Sequence, residues 1–252
     1  MREIMSQIIP AKISKQILAL LRDGDFAHPG EIEAIDLAMR PIPQNSTRKV
    51  LDVGCGLGGT ANYLRQWGDV SAIDMNADMI GYVHKNYPEV KAIHSDVMQI
   101  QQHSPANTFQ LITIFSAFFC FLKQIEALQL LSEVADSNAE LVIFDYATAE
   151  FPSVKNPFGW SDSIHAFNPI FLPHIEKMLQ KTGWQLKESK DVSTYFICWY
   201  EQLIEKFESK KALLLEKFDV KTIENIQAGY MTLLDNLKQK QLGGVIIYAT
   251  KK

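Results

Sequence analysis

Val50-Leu51-Asp52-Val53-Gly54-Cys55-Gly56-Leu57-Gly58-Gly59-Thr60 reads as a short apolar strand running into an acid, a glycine-rich turn and then a helix over 60–67. Glycine lacks a Cβ and tolerates positive φ, so such a turn lets a ligand approach the backbone closely. The amides at the start of the next helix favour anionic or electron-rich ligand groups. Gly54, Gly56 and Gly59 also satisfy G-x-G-x-x-G, which by itself leaves the nucleotide-like ligand open. Asp52 narrows the choice. Its carboxylate, two residues before the first glycine, would repel the pyrophosphate that a dinucleotide brings to this turn. It suits instead a ligand that carries an ammonium and a sulfonium.

Working outward, apolar strands are expected near 49–53, 70–74, 90–94, 109–115 and 140–146. Helices are expected near 60–67, 76–86 and 122–136, with a short helix or none over 97–107. Such alternation predicts a parallel sheet with helices on both faces, and ligands bind such sheets at the carboxyl ends of the strands. Asp52, Asp74 and Asp96 all fall at strand ends. An acid at the tip of the second strand can accept from a ribose diol, whichever nucleotide is bound. Upstream, Ile13, Ile17, Leu18, Leu20 and Leu21 form a helical stripe, and a second helix over 31–39 is stopped by Pro41 and Pro43.

After Tyr146 the pattern breaks into a stretch rich in Pro, Phe, Ser and Asn through Phe171, the composition of a lid or binding loop. A helix over 169–181, a strand over 184–192, long helices over 194–217 and 219–240, and a closing strand over 245–250 follow. The expected organisation is one domain. Residues 1–44 give N-terminal helices, 45–150 the cofactor core, 151–183 a lid and helix, and 193–241 a helical insertion forming a cap.

The stretch around Asp52 strongly resembles motif I of the class I S-adenosylmethionine-dependent methyltransferases, D-x-G-x-G-x-G, met by Asp52, Gly54, Gly56 and Gly58. The resemblance implies an α/β, doubly wound, mostly parallel seven-stranded sheet of the Rossmann-like methyltransferase type, with an antiparallel C-terminal strand and an added helical cap. It implies S-adenosyl-L-methionine as cofactor. Asp74 would hold the ribose hydroxyls, Met75 would lie against the adenine, Asp96 would accept from the adenine amino group and Val97 would add a backbone contact. Cys55 and Phe115 complete the expected cofactor set.

A finer likeness joins His28-Pro29-Gly30, Asp145-Tyr146, Asp191 to Tyr195, Gly229-Tyr230 and Tyr248 to Lys251 to the phosphoethanolamine and related small-amine N-methyltransferases. That family pairs a Tyr near the N-terminus with a His after the fourth strand. Here Phe121 falls at the His position, and no tyrosine precedes His28. The family's phosphate-binding basic residue falls among Thr232, Leu233 and Leu234. The resemblance without these residues implies a different, less charged acceptor.

Methyl transfer is an in-line displacement in which alignment and exclusion of water matter most, and a base is needed only for a protonated nucleophile. The exit of the fourth strand, Phe115 to Leu122, holds no acid, no His and no Asn-Pro-Pro-Tyr, so an apolar or aromatic-lined pocket is expected. Phe118, Phe119, His28, Trp160 and Tyr195 are the candidate substrate-pocket residues, and His165 and Tyr146 the candidate catalytic ones.

Composition supports the same class. With 252 residues, 47% hydrophobic content and a net charge of −4, the chain is an ordinary globular one without the basic footprint of a nucleic-acid binder. Three scattered cysteines predict neither a disulfide framework nor a metal site and fit a cytoplasmic protein. No apolar run approaches the ~18 residues of a membrane span. A small-molecule acceptor and a monomer or homodimer complete the expectation.

Overall fold

The computed structural model describes residues 11–149 and 167–252. The lid positions Trp160 and His165 lie outside them. Two helices, α1 (Ala11–Arg22) and α2 (Glu31–Met39), precede the βα units. Those units are β1 (Lys49–Val53), α3 (Gly59–Tyr63), β2 (Asp69–Asp74), α4 (Ala77–Asn86), β3 (Lys91–His94), a 3₁₀ turn (Val97–Gln102), β4 (Phe109–Phe115), a second 3₁₀ turn (Phe118–Cys120), α5 (Gln124–Val134) and β5 (Ala135–Thr148). After the lid come β6 (Ile170–Phe171), α6 (Leu172–Lys181), β7 (Trp184–Asp191), α7 (Ser193–Ser209), α8 (Lys211–Leu215), α9 (Val220–Lys238) and β8 (Gly243–Lys251).

Seven strands run in the order β3-β2-β1-β4-β5-β8-β7, and the two-residue β6 pairs with β5 off this path. The first five are mutually parallel, whereas β8 is antiparallel to both β5 and β7. The expected doubly wound sheet is therefore present, with its antiparallel end. Order reverses between β1 and β4, which opens the binding crevice at their carboxyl ends.

The two-residue period of a strand sorts side chains onto the two layers. Val50, Val142, Phe144, Tyr146, Ile246 and Tyr248 join the core under α1, α2, α3, α7 and α9. Their neighbours Leu51, Val53, Leu141, Ile143, Val245 and Ile247 join the second core under α5 and α6. In α7, Phe196, Trp199, Tyr200, Leu203 and Phe207 are buried on one face. At about 2 kcal/mol for each such side chain, this face fastens the helical insertion to the sheet and to α1.

Element boundaries depart from the sequence reading where a strand hides among polar residues. β5 starts at Ala135, which pairs with Phe109 across an irregularity, rather than near residue 140, and it truncates the preceding helix at Val134. Ile170 and Phe171 pair with Ala147 and Thr148, so the next helix begins at Leu172 instead of Pro169. The long helix expected over 194–217 breaks at Lys210.

Candidate active site

The chain must turn sharply between β1 and α3, and Gly54, Gly56 and Gly58 do so at φ of 77°, 54° and 88°. The left-handed region is costly for any residue with a Cβ. Space is also closed: a Cβ on Gly54 would lie 2.4 Å from that of Ala117, and one on Gly58 2.8 Å from Val83. The turn is tied to β2. The amides of Gly54 and Cys55 donate to the Ile73 carbonyl at 2.8 and 3.1 Å, and the Gly56 amide donates to Asp74 Oδ2 at 2.8 Å. Asp74 Oδ1 accepts from the Asn76 amide at 2.9 Å, while Asn76 itself caps α4.

Asp52 is 2% exposed. Its Oδ1 accepts from Thr113 Oγ1 at 3.0 Å, and its Oδ2 is buried without a hydrogen-bond partner. Burial raises this carboxyl to about 7, with the Thr113 hydroxyl opposing and the charge of Asp74 reinforcing. Buried polar atoms are almost always satisfied, so an orphaned carboxylate oxygen beside a glycine turn marks a place for a donor or cation. Asp96 is exposed and accepts from the Met98 amide at 2.9 Å, capping the 3₁₀ turn. Val97 and Cys55 are buried, and Met75 is 54% exposed. Lys15 of α1 reaches over the turn, its Nζ lying 3.1 Å from where a Cβ on Gly56 would be.

At the exit of β4, Ser116 has φ of 47°, and its buried Oγ has no hydrogen-bond partner. Asp145 braces this exit by accepting from the amides of Phe118 at 2.8 Å, Phe119 at 3.3 Å and Tyr146 at 2.7 Å. Burial raises Asp145 to about 7 against those hydrogen bonds. His28 is buried against Phe115 at 5.2 Å and Phe144 at 5.8 Å. Its Nδ1 donates to the Pro29 carbonyl at 3.1 Å, which leaves Nε2 to accept from Thr60 Oγ1 at 3.0 Å. Burial lowers this histidine to about 3, so it is neutral at physiological pH.

Phe119 packs edge-on against Tyr146 at 5.1 Å. The phenols of Tyr146 and Tyr200 hydrogen-bond each other, and burial pushes both well above the ordinary tyrosine range. Tyr230 stacks on Tyr200 at 5.8 Å, and burial raises it to about 12. Arg22, the last residue of α1, lies beside this cluster and is itself buried.

Residues 50–140 match the methyltransferase-domain family. Over 88% of this chain, the sequence is 22% identical to phosphoethanolamine N-methyltransferase 3 of Arabidopsis thaliana, of which it covers 46%. The chain spans less than half the length of the curated relatives it matches. Among solved structures, phosphoethanolamine N-methyltransferase 2 of Haemonchus contortus, bound to phosphomonomethylethanolamine and S-adenosylhomocysteine, superposes with a TM-score of 0.82 at 18% identity. That match covers 95% of this chain and 57% of that one. A putative sarcosine dimethylglycine methyltransferase from Galdieria sulphuraria gives a TM-score of 0.79 at 14% identity, covering 95% of this chain and 98% of that one. Residues 50–140 are thus similar to methyltransferase domains, and the chain shares the fold of these solved methyltransferases, including the antiparallel end of the sheet.

Within this methyltransferase fold, Asp52, Asp74 and the three glycines converge on one turn, with Cys55 inside it. Met75, Asp96 and Val97 follow at the ends of β2 and β3. Phe115 and His28 on one side and Phe119 and Tyr146 on the other join through Phe144 and Phe196 into one aromatic face beside β4 and β5. Phe118 does not join them: it is wholly buried in the opposite layer against Phe121 at 5.4 Å. Tyr195 opens α7 at 43% exposure and reaches Trp199 at 5.5 Å, which in turn packs near Phe196. Arg22 and Lys15 escaped the sequence reading. The signal for Arg22 was its place on the apolar stripe of α1, one turn after Leu18 and next to Leu21, where a buried residue is expected.

Among the described residues, no helix is long and apolar enough to cross a membrane, and no cluster of His, Cys, Asp and Glu has the geometry of a metal site.

Proposed function

We propose that this chain transfers a methyl group from S-adenosylmethionine to an N or O nucleophile of a small-molecule acceptor, beneath the face formed by α1, α7 and α9. The carrying observation is the orphaned, buried Oδ2 of Asp52 beside a turn of three left-handed glycines. That oxygen fits the ammonium of the cofactor's amino-acid end. Asp74 fits the ribose diol on exchanging the Gly56 amide for the sugar hydroxyls. When bound, the cofactor supplies a methyl group activated on a sulfonium for in-line displacement.

The chain's own residues then orient and enclose the acceptor. Asp145 fixes the β4 exit through the amides of Phe118 and Phe119, and Phe119 and Tyr146 present an aromatic wall. Among the described residues, the groups around this exit are poorly placed to accept a proton, and Asp145 spends both oxygens on backbone amides. Both nitrogens of His28 are engaged, burial raises the Cys120 thiol, and the Tyr146 phenol is held protonated against Tyr200. This arrangement supports an acceptor whose nucleophile is already unprotonated when it meets the methyl group, with Tyr146 positioning rather than abstracting. His165, the other candidate, lies outside the described residues.

The same shortage of a base favours a second reading, a cofactor-binding protein without catalysis. Calorimetry should show S-adenosylhomocysteine binding that Asp74→Ala weakens clearly, and absence of binding to the intact chain would sink both readings. Product from a panel of amines, carboxylates and phenols separates the two. A nicotinamide-dependent oxidoreductase would require NADH to bind despite Asp52, which a fluorescence titration checks.

A further inference from the structure

We infer that the acceptor carries an anionic group, a carboxylate or a phosphoryl group, which docks on Arg22 beside the phenols of Tyr146 and Tyr200. This inference rests on the methyl-transfer reading and names the substrate class of that same site.

The guanidinium of Arg22 is 1% exposed, and its charge is incompletely answered. Nη1 donates to the Phe26 carbonyl at 3.2 Å, and Nε lies 3.5 Å from Glu31 Oε1. Nη2 is buried and makes no hydrogen bond of good geometry, and the neutral Tyr200 phenol is the guanidinium's polar neighbour there. Glu31 is shared, since Lys206 lies 3.8 Å from the same oxygen, so one carboxylate serves two cations. The nearby acids of the α1–α2 connection are committed elsewhere. Asp23 pairs with Lys210, and Asp25 accepts from the phenols of Tyr82 and Tyr87. His28, the remaining titratable neighbour, is neutral. A buried arginine donor left unmade is destabilising by about 1–3 kcal/mol, and a planar guanidinium fork matches a carboxylate or phosphoryl group bidentately.

The hydroxyls add to this. Tyr146 and Tyr200 share one hydrogen bond, which leaves one phenol proton of the pair for another acceptor. The guanidinium neighbours Tyr200 and favours its phenolate against the effect of burial, so cation and hydroxyl are adjacent.

The position suits a small bifunctional acceptor. Ala117, against Gly54, opens the β4 exit; Phe119 follows and packs on Tyr146; Tyr146 meets Tyr200 beside Arg22. An anion held by Arg22 therefore leaves the other end of a short molecule at the β4 exit, next to the glycine turn. Thr232, Leu233 and Leu234 in the tail supply no cation for such a group. The cation is supplied from α1 instead.

The test is calorimetric titration of the protein saturated with S-adenosylhomocysteine, using inorganic phosphate, acetate and tetramethylammonium as probes. At least one anion should bind, phosphate and acetate distinguishing the two sources of charge, and tetramethylammonium should gain nothing from Arg22. Arg22→Gln should weaken the anion about tenfold and Arg22→Lys should recover part of the loss. Glu31→Gln removes a competing carboxylate and should strengthen anion binding about threefold, a direction that a purely structural arginine would not produce. S-adenosylhomocysteine affinity should change less than anion affinity in all three variants, because Arg22 makes no hydrogen bond to the glycine turn among the described residues.

Failure of both anions to bind the wild type overturns the inference, as does equal binding by a folded Arg22→Gln. If Arg22→Gln does not fold, an unchanged anion affinity in Glu31→Gln overturns it. Failure of S-adenosylhomocysteine to bind the wild type strikes the methyl-transfer reading instead, and the anion titration on cofactor-free protein still decides the role of Arg22.

Discussion

Asp52, Gly54, Gly56 and Gly58 lie within residues 52–58, whereas Arg22, Tyr146, Tyr200 and Tyr230 come from α1, β5, α7 and α9. Both groups border the carboxyl end of the sheet, and they are made differently. The first is a property of local backbone: left-handed glycines, amides bound to β2 and an acid inside a strand. The second exists only once α7 and α9 pack against α1 and β5. The donor end should therefore fail abruptly when its backbone is disturbed. The acceptor end should respond by degrees, and separately.

The largest effect is expected at Gly54. Alanine there must adopt φ of 77° and push its Cβ against Ala117, with no room for either. Strain and overpacking together give about 2–4 kcal/mol of destabilisation, measurable by urea unfolding, together with loss of S-adenosylhomocysteine binding. A stable Gly54→Ala that binds normally would refute the claim that this turn is set by its backbone.

Next comes the ionisation of Asp52. Its carboxyl titrates near 7 in the cofactor-free protein, and a ligand ammonium requires the ionised form. S-adenosylhomocysteine affinity should be flat above that pH and fall about tenfold per unit below it. Asp52→Asn should bind weakly and lose this slope. A slope that survives the substitution would assign the titration to another group.

The same carboxyl bears on stability, together with Asp145 and His28. Asp52 and Asp145 have raised values, so their contribution is complete below about 4 and is lost as pH rises through about 7. His28 is lowered from 6.5 to about 3, so its contribution is present above 6.5 and is lost as pH falls towards 3. Between about 4 and 6.5 the native state holds two extra protons on the acids and the unfolded state one on the histidine. Stability from these groups should fall with rising pH by about 1.4 kcal/mol per unit. Asp145→Asn should bring that slope near zero. Urea midpoints at several pH values check this, and a slope of the opposite sign would show that the buried acids are ionised throughout.

What could be read from the sequence follows the same division. Asp52, Asp74 and the glycines were legible because their chemistry depends on spacing along the chain. The strands β1, β2 and β4 were legible because each is a short, nearly continuous apolar run ahead of a turn, as a parallel strand covered on both faces requires. The start of β5 was not, since Ala135 to Glu140 is polar and becomes a strand only by pairing with β4 and β8. Phe118 and Phe119 look alike in sequence, yet the 3₁₀ turn after β4 sends one into each layer. Arg22 ends an apolar helix, where an arginine ordinarily serves the helix terminus. Its burial depends on α7, far along the chain.

The smallest expected effect sharpens the comparison most. Tyr200→Phe deletes one phenol from the buried pair while keeping the ring that stacks on Tyr230 and packs near Phe196. The Tyr146 hydroxyl then loses its partner inside the protein, which should destabilise the fold by about 1 kcal/mol. Because α7 meets the cofactor turn through no shared hydrogen bond among the described residues, S-adenosylhomocysteine affinity should not change. Anion binding should weaken only severalfold, since Arg22 keeps its fork and loses a neutral neighbour rather than a charge. If the variant instead lost cofactor binding, the two ends would be coupled through β5 and Asp145, and their separate construction would be refuted.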